Sequence, residues 1–294
     1  GGELIVRKHE RVMIQGITGK QGTFWTKHMQ HYGTNVVGGI VPKKGGHNHL
    51  GVPVFDNAYD AMREVPFDVA GLFVPPYFAK VGAIDAIEAG VKKLVILTEH
   101  IPVHDVMEIV AAGKANKTQI IGPNTTGVAT PGECFIGFMP AFNKNIMTAG
   151  NVGIISRSGS LGTLISLNIT QAGLGQSAFI GIGGDPVIGT TTLAALKCLD
   201  KDDRTKAVFI LGEIGGTMEE LAAEYASTMQ KPVVAFIAGG AAPKGKKMGH
   251  AGAIVSGNKG TYNSKRYALM EAGVHVIDTP SDAGSAMVAA LKTM

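Results

Sequence analysis

The sequence predicts an α/β protein built from two successive doubly wound domains. Short β-branched runs alternate with helical patterns almost throughout the chain. The 294 residues exceed the usual length of one domain, and 45% of them are hydrophobic, which is enough to fill two buried cores. The alternation stops once, between Pro123 and Gly150, where three prolines and several glycines replace helical periodicity. We interpret this stretch, residues 126–150 in particular, as the crossing between the domains.

The first domain, residues 1–125, contains five predicted strands with helices between them, which make a complete mononucleotide-binding half-fold. These strands are Val12–Ile14, Val36–Val37, Val69–Val74, Val95–Leu97 and Ile120–Ile121. The first strand leads into a loop with Gly16, Gly19 and Gly22, and a helix through Gln30 follows. Open N–H groups at such a helix start attract phosphate, and glycine lets the phosphate approach. We therefore predict phosphate binding here, although the spacing is neither G-x-G-x-x-G nor a P-loop.

The loop after the second strand indicates which nucleotide this domain would hold. An NAD site has an acidic residue at this point, whereas this loop carries Lys43 and Lys44. Two lysines favour a phosphorylated ribose, as in NADP or coenzyme A, and they are equally compatible with a solvated basic loop. His47 and His49 have no third ligand at a matching spacing, so we interpret them as surface residues and predict no metal site.

The second domain, residues 151–294, repeats the α/β pattern, and glycine-bearing loops follow its first four strands. The predicted strands are Val152–Ile155, Ala178–Ile182, Ala207–Leu211, Val233–Ile237 and Val274–Ile277. In a parallel sheet such loops gather at the carboxyl ends of the strands, where ligands bind. Four of them together indicate a ligand site.

Two of these loops carry candidate chemistry. The helix start after the first strand offers N–H groups and hydroxyls to an anion through Ser156, Ser158, Gly159 and Ser160. It lacks the spacing of a serine-hydrolase elbow, and Ser158 would also serve as a helix cap.

The histidine of the fourth loop is the candidate nucleophile. His250 lies among small residues after Lys244, Lys246 and Lys247, so its ring is reachable and a phosphoryl group is favoured. A neutral imidazole is a competent nucleophile, and Glu213 is a candidate for orienting it.

Composition excludes several classes of protein. The net charge is +4 with no basic helix or aromatic–basic stripe, so no nucleic-acid role is predicted. The two cysteines form no C-x-x-C, so neither a disulfide framework nor a zinc site is predicted. No apolar run approaches the length of a membrane span. Only 17% of residues are charged, against about 25% usually, which suggests surface covered by a partner. We expect a cytoplasmic location, or the mitochondrial matrix after removal of a presequence.

The chain resembles the family of succinyl-CoA synthetase α subunits and the related nucleotide-dependent acid–CoA ligases. The resemblance extends from Gln15 to the C-terminal helix and rests on an ordered series of strings. The strings are Gln15–Gly19, Gln21–Phe24, Lys44–Gly46, Thr98–Pro102, Thr130–Cys134, Ser156–Gly159, Gly181–Pro186, Gly212–Gly216, Ala242–Gly245 and Met248–Ile254.

This resemblance implies an N-terminal Rossmann-like CoA-binding domain and a flavodoxin-like ligase domain. It implies that coenzyme A is bound by Thr18, Gly19, Lys20, Gln21, Lys44, Leu97, Thr98 and Glu99. It further implies that His250 carries a phosphoryl group beside Glu213, that the helix start at Ser156–Ser160 helps to cradle it, and that the reaction belongs to the tricarboxylic acid cycle. Since no ATP-grasp region is visible, ATP or GTP with Mg²⁺ would be bound mainly by a β partner, in a heterodimer or heterotetramer.

The sequence departs from the family pattern near the acid substrate. Succinate-type members have Thr-Leu-Thr-Tyr-Glu after Ser-Arg-Ser-Gly, whereas this chain has Ser160-Leu161-Gly162-Thr163-Leu164. Thr163 in place of the tyrosine would reshape the acid pocket, so succinate, malate and citrate are all candidate substrates. Two alternatives stay open from the residues: an NADP-dependent oxidoreductase on the same fold, and a non-catalytic CoA-binding subunit.

Overall fold

The computed structural model describes residues 4–240, 250, 252–255 and 260–294. Within these residues, two seven-stranded sheets follow one another along the chain. The predicted α/β class, a Rossmann-like domain followed by a flavodoxin-like one, is confirmed by the order of the strands. None of the helices described combines the length and the apolar character needed to cross a bilayer.

The first sheet has the strand order of a dinucleotide-binding fold. Its elements are β1 (Val12–Gln15), α1 (Lys20–Tyr32), β2 (Val36–Ile40), β3 (Asn48–His49), β4 (Val52–Phe55), α2 (Ala58–Glu64), β5 (Val69–Leu72), α3 (Pro76–Glu88), β6 (Lys93–Ile96), α4 (Val103–Ala115) and β7 (Gln119–Ile121). The order is β3-β4-β2-β1-β5-β6-β7, and every pairing is parallel except that of β3 with β4. The parallel strands thus run 3-2-1-4-5-6.

All five predicted strands of this domain are present, and β3 and β4 are additional. β4 contains Pro53, which lacks an N–H group and therefore weakens the sequence signal for a strand. β3 is only two residues long, so it has no readable alternation. Both lie at one edge of the sheet, where a proline is tolerated.

The second sheet combines a flavodoxin-like parallel core with an antiparallel edge. Its elements are β8 (Gly127–Thr130), β9 (Cys134–Gly137), β10 (Ala149–Ser156), α5 (Gly159–Gln171), β11 (Gln176–Gly181), α6 (Thr192–Lys201), β12 (Ala207–Glu213), α7 (Met218–Ala226), β13 (Val233–Ala238), α8 (Tyr262–Glu271), β14 (His275–Val276), a 3₁₀ turn (Pro280–Asp282) and α9 (Ala283–Lys292). The order is β14-β13-β12-β10-β11-β8-β9. Counted from β10, the five parallel strands run 2-1-3-4-5.

The stretch 126–150 is more than a crossing between domains. It contains β8 and β9, which pair with each other and add antiparallel strands to the sheet beside β11. Each strand has only four residues, and both are fully buried, so neither shows the alternation that marks a half-exposed strand. The domain boundaries predicted from the sequence remain a prediction, but this hairpin belongs structurally to the second sheet.

The hairpin of β8 and β9 also links the two cores. One apolar cluster includes Ile14 and Phe73 of the first domain, Phe135 of β9, and Ile154 and Phe179 of the second domain. The hydroxyl of Thr34, just after α1, donates a hydrogen bond to the carbonyl of Phe135 at 2.8 Å. A further cluster fills the other face of the first sheet. The carboxyl ends of both sheets are therefore held in a fixed relation to each other.

Candidate active site

The two predicted catalytic residues are in contact. Glu213 is the last residue of β12, and its Oε1 lies 2.5 Å from Nδ1 of His250. Because a carboxylate only accepts hydrogen bonds, Nδ1 carries the proton, and Nε2 holds the free lone pair of the neutral ring. The predicted lysines Lys244, Lys246 and Lys247 lie outside the described residues.

The surroundings of His250 hold the imidazole in place and favour its protonated form. The His250 side chain is 29% exposed, whereas that of Glu213 is 5% exposed. The hydrogen bond that His250 donates to Glu213 raises the pKa of His250, although partial burial and the charge of Arg157 oppose this, and Asp185 adds to it. The ring packs on the main chain of Gly184, where an added Cβ would lie 2.4 Å from the imidazole Cγ.

The helix start predicted to bind phosphate lies beside this pair. The Ser158 hydroxyl accepts a hydrogen bond from the Leu161 N–H at 3.3 Å and thereby caps α5. The Ser156 hydroxyl donates a hydrogen bond to the carbonyl of Ser158. A Cβ at Gly159 would lie 2.0 Å from Cγ2 of Thr126, so glycine is required for the helix start to approach that threonine. Because this cap takes up the Leu161 N–H, the N–H groups of Gly159 and Ser160 are the ones left for an anion.

One cavity joins the two domains at this point. It has a volume of about 690 Å³ and is lined by loops at the carboxyl ends of both sheets. The predicted site residues in its walls are Gln21, Leu97, Thr98, Glu99, Ser156, Ser158, Gly159, Ser160 and His250. The structure therefore brings half of the predicted CoA residues together with the predicted phosphate-binding residues and His250 in a single space.

Two further cavities continue this space across the first domain. A cavity of about 660 Å³ is lined by Thr18 and Gly19, and one of about 320 Å³ is lined by Gly19, Lys20 and Gln21. Phe73 lines both the 660 Å³ cavity and the 320 Å³ cavity. Gln21 lines both the 320 Å³ cavity and the one at His250. The three spaces therefore adjoin one another in a row from the start of α1 to His250.

Two predicted site residues lie away from these walls. Lys44 is exposed in the loop after β2 and lines none of the three cavities that the described residues form. Thr163 is half-buried on α5, and its hydroxyl donates to the carbonyl of Gly159 at 3.0 Å. It too is absent from these walls, so the structure does not bring it to the described cavity.

The start of α1 fits a phosphate group. No side chain caps this helix, and its first turn contains no acidic residue. Gly16 is required by the turn itself, because its φ is +82° and an added Cβ would lie 2.2 Å from the carbonyl oxygen of Phe73. A Cβ at Gly19 would instead meet only the Gly16 carbonyl oxygen, at an ordinary 3.4 Å. Gly19 therefore leaves the uncapped N–H groups open to a ligand.

A buried group of charges behind Glu213 was not predicted from the sequence. Arg157 Nη1 lies 3.0 Å from Oε2 of Glu219, and Lys265 Nζ lies 2.7 Å from Oε1 of the same carboxylate. Burial alone would raise the pKa of Glu219, but the charges of Arg157 and Lys265 hold it below its usual value. Glu219 and Glu220 open α7, a position that in sequence is typical of solvated acidic residues. No sequence signal indicated that Glu219 points inward.

Comparison with known families and proteins agrees with this geometry. Residues 7–100 match the family described as "CoA binding domain", and residues 155–275 match that described as "CoA-ligase". Succinate–CoA ligase [ADP-forming] subunit alpha 2 of Archaeoglobus fulgidus is 47% identical over 95% of this chain and 96% of its own length. The alpha subunit of Staphylococcus aureus is 46% identical over 98% of this chain and 95% of its own.

The chain belongs to the succinate–CoA ligase α-subunit family. It is accordingly an α subunit of the acid–thiol ligase class, which excludes the oxidoreductase left open by the residues alone.

Solved structures confirm the fold of this family member. ATP citrate lyase from Methanothrix soehngenii, in complex with citrate and coenzyme A, superimposes with a TM-score of 0.91 at 21% identity. It covers 100% of this chain, which spans 51% of the lyase chain. The dinucleotide forming acetyl-coenzyme A synthetase 1 of Ca. Korarchaeum cryptofilum gives a TM-score of 0.77 at 22% identity, over 94% of this chain and 59% of its own. At these identities the likeness concerns the fold alone.

Proposed function

We propose that this chain joins a carboxylic acid to coenzyme A through a phosphorylated His250. The observation that carries the proposal is the contact between Glu213 and His250 beside the free start of α5, in a cavity that reaches the first domain. In the proposed reaction Nε2 of His250 attacks the γ-phosphorus of a nucleoside triphosphate, so that an N–P bond forms as the bond to the diphosphate breaks. Glu213 accepts the hydrogen bond from the Nδ1–H and stabilises the cationic ring that results.

The phosphoryl group then passes to the acid and leaves as phosphate. A carboxylate oxygen attacks the phosphorus and frees the imidazole, which gives an acyl phosphate. The thiol of coenzyme A attacks the acyl carbon and displaces phosphate, which forms the thioester. The N–H groups at the start of α5, with Ser156, Ser158 and Ser160 around them, supply positive potential for the transferred phosphoryl group.

Coenzyme A is a substrate here, and the row of cavities supports its placement. Its phosphates would lie at the uncapped start of α1, near Thr18 to Gln21. Its thiol end would then extend past Thr98 and Glu99 into the cavity at His250. Lys44, in the exposed loop after β2, would contribute through charge at longer range.

A β partner completes the proposed enzyme. We assign nucleotide binding to an ATP-grasp β subunit, together with the accompanying Mg²⁺. The relatives at 46–47% identity are α subunits by name, and this chain matches nearly their whole length.

The acid is proposed to be a C4–C6 di- or tricarboxylate. The relatives are named as succinate–CoA ligases, which favours succinate. Thr163 stands where succinate-type members have a tyrosine, and it bonds within its own helix without lining the described cavity, so malate and citrate are tested beside succinate.

The test uses the chain co-expressed with its β subunit. The complex is incubated with CoA and with ATP or GTP, and succinate, malate and citrate are offered separately while thioester and phosphate are measured. Thioester formation is expected with at least one of these acids, and His250→Asn is expected to abolish it while CoA affinity stays nearly unchanged. Asparagine cannot carry the phosphoryl group but retains a polar side chain at the site.

Two further measurements compare the parent complex with His250→Asn. The purified complex is exposed to γ-³²P-labelled nucleotide without acid, and acid-labile label is expected on the α chain of the parent and to be absent from His250→Asn. Turnover retained in His250→Asn would refute the phosphohistidine route.

A further inference from the structure

The main chain of Glu213 is held on both sides by buried side chains. Its N–H donates to Oε2 of Glu219 at 3.0 Å, and its carbonyl accepts from Nη1 of Arg157 at 3.0 Å. Glu219 is completely buried and Arg157 is 3% exposed. The peptide units before and after the Glu213 Cα are thus both fixed by charged groups, at the residue whose carboxylate contacts His250.

The carboxylate of Glu219 is itself fixed from two directions. Arg157 bonds to Oε2, and Lys265 bonds to Oε1 at 2.7 Å. Lys265 in turn donates to Glu220 Oε1 at 2.8 Å and to the carbonyl of Gly216 at 3.0 Å. With two charge-assisted bonds and a main-chain donor, this carboxylate has a single position.

The adjacent main chain leaves room for this carboxylate. A Cβ at Gly212 would lie 2.4 Å from Oε2 of Glu219 and 2.7 Å from its Cγ. The carboxylate therefore lies against β12 one residue before Glu213. A side chain at this glycine would push it away from the Glu213 N–H.

Fold stability alone is a weak reason for such a group. Removing charges from water carries a large desolvation penalty, and buried ion pairs can often be replaced by apolar side chains at no loss of stability. An ionic group fixes the orientation of its polar neighbours better than an apolar group does. Here the neighbour is the strand end that carries Glu213.

We propose that Glu219, held by Arg157 and Lys265, is a positioning residue that fixes the Glu213 carboxylate against His250. The placement of the ring follows from the geometry alone, and only its effect on phosphoryl transfer rests on the proposed function. Glu219 touches neither the imidazole nor the reacting atoms, so it acts through Glu213.

The proposal predicts a change in the titration of His250. The charged groups that face this ring are Glu213 from β12, Asp185 from the loop after β11, and Arg157 from the loop after β10. Neutralising Glu219 would free Glu213 to move away and would leave the charge of Arg157 less compensated. Both effects lower the pKa of His250, so they reinforce each other.

The experiment compares two neighbouring carboxylates. Glu219→Gln and Glu220→Gln each remove one acceptor of Lys265, but only Glu219 contacts the Glu213 main chain. The full chain is labelled with [ε1-¹³C]histidine, and the His250 signal is identified by its loss in His250→Asn. Glu219→Gln is expected to lower the His250 pKa by about one unit, and Glu220→Gln to leave it unchanged.

The rate of His250 phosphorylation in the complex with the β subunit is the second measurement. Glu219→Gln is expected to slow labelling of His250 about tenfold or more, because small misplacements of a reacting group are costly. Glu220→Gln is expected to label at the parent rate. Equal His250 titrations in the two variants, with equal losses of thermal stability, would overturn the proposal and leave Glu219 a structural residue.

A second variant keeps the test decisive where Glu219→Gln does not fold. Glu219→Asp keeps the charge but withdraws the carboxylate by one methylene, so it is expected to lower the His250 pKa and to slow labelling. Behaviour identical to the parent in both measurements would overturn the proposal. Absence of labelling in the parent complex would refute the proposed function instead, while the titration would still decide the role of Glu219.

Discussion

The two ends of the row of cavities are formed by different kinds of chemical group. At the first-domain end, α1 has Gly19 as its N-cap residue and no side-chain cap. Its first main-chain N–H groups face the cavity with glycine around them. At the second-domain end, His250 is backed by Glu213 and by the buried charges of Arg157 and Glu219. A region that binds and releases a ligand can use adaptable neutral groups. A region that must hold one tautomer of a reactive ring requires ionised groups at fixed positions.

Exchanging one glycine in each region tests this contrast, and the larger effect is expected near His250. In Gly184→Ala the new Cβ would overlap the imidazole Cγ at 2.4 Å and Nδ1 at 2.6 Å, so the ring must leave Glu213. We expect His250 labelling to fall about a hundredfold while CoA affinity is retained. The measurements are labelling with γ-³²P nucleotide and calorimetric titration with CoA.

The matched change in the first domain is Gly19→Ala. Gly19 has a φ of −67°, and its Cβ would meet only one main-chain oxygen at 3.4 Å, so the fold accepts the methyl group. The methyl group would instead occupy the approach to the α1 N–H groups, so we expect weaker CoA binding with His250 labelling intact. If both variants lost the same property, the contrast between the two regions would be wrong.

The pH dependence of stability is expected to come from the charged region. The pKa of His250 is raised in the folded chain, chiefly by the hydrogen bond that it donates to Glu213. The stabilising contribution of the pair is therefore fully present below the unfolded pKa of about 6.5, and it is lost as the pH rises through the higher folded pKa. Urea unfolding of the parent and of Glu213→Gln across this pH window measures the free energy of unfolding. The variant is expected to lack the pH-dependent contribution of the pair. Identical pH profiles would contradict the assignment.

The smallest effect is expected from the exposed lysines at the other end. Lys44→Gln should weaken CoA binding about two- to fivefold at low salt, since exposed charges contribute little and are screened. Lys43→Gln, one residue away in the same loop, serves as the control and should change affinity less. Titrations at low and high ionic strength distinguish them, and a loss that persists at high salt would indicate a direct, buried contact for Lys44.

The sequence signals for the fold were strongest in the central parallel strands of each sheet. The strands β1, β5 and β12 are buried along their whole length and β10 is buried from Val152 to Ser156, and their apolar runs predict them directly. The short strands β3, β4, β8 and β9 were missed because two to four residues with proline or glycine show no period. These missed strands occupy the two outermost positions at one end of each sheet.

The same contrast divides the site. Motif spacing brought His250, Glu213 and the α5 start into the prediction, because glycine-rich loops at strand ends are readable in sequence. Glu219 and Lys265 were missed, since charged residues on helices are usually exposed and nothing local indicates a partner 46 positions away. The role of Thr163 at the acid substrate stays a prediction, since its hydroxyl bonds to Gly159 in the same helix and it lines none of the three described cavities.

The hairpin of β8 and β9 makes the chain a single cooperative unit. Phe135 and Ile136 belong to an apolar cluster that includes residues of both sheets, so separating the domains would expose the interior of each. Neither half can unfold at equilibrium without a cost to the other. A ligand that binds only the first domain therefore also raises the melting temperature of the half that carries His250.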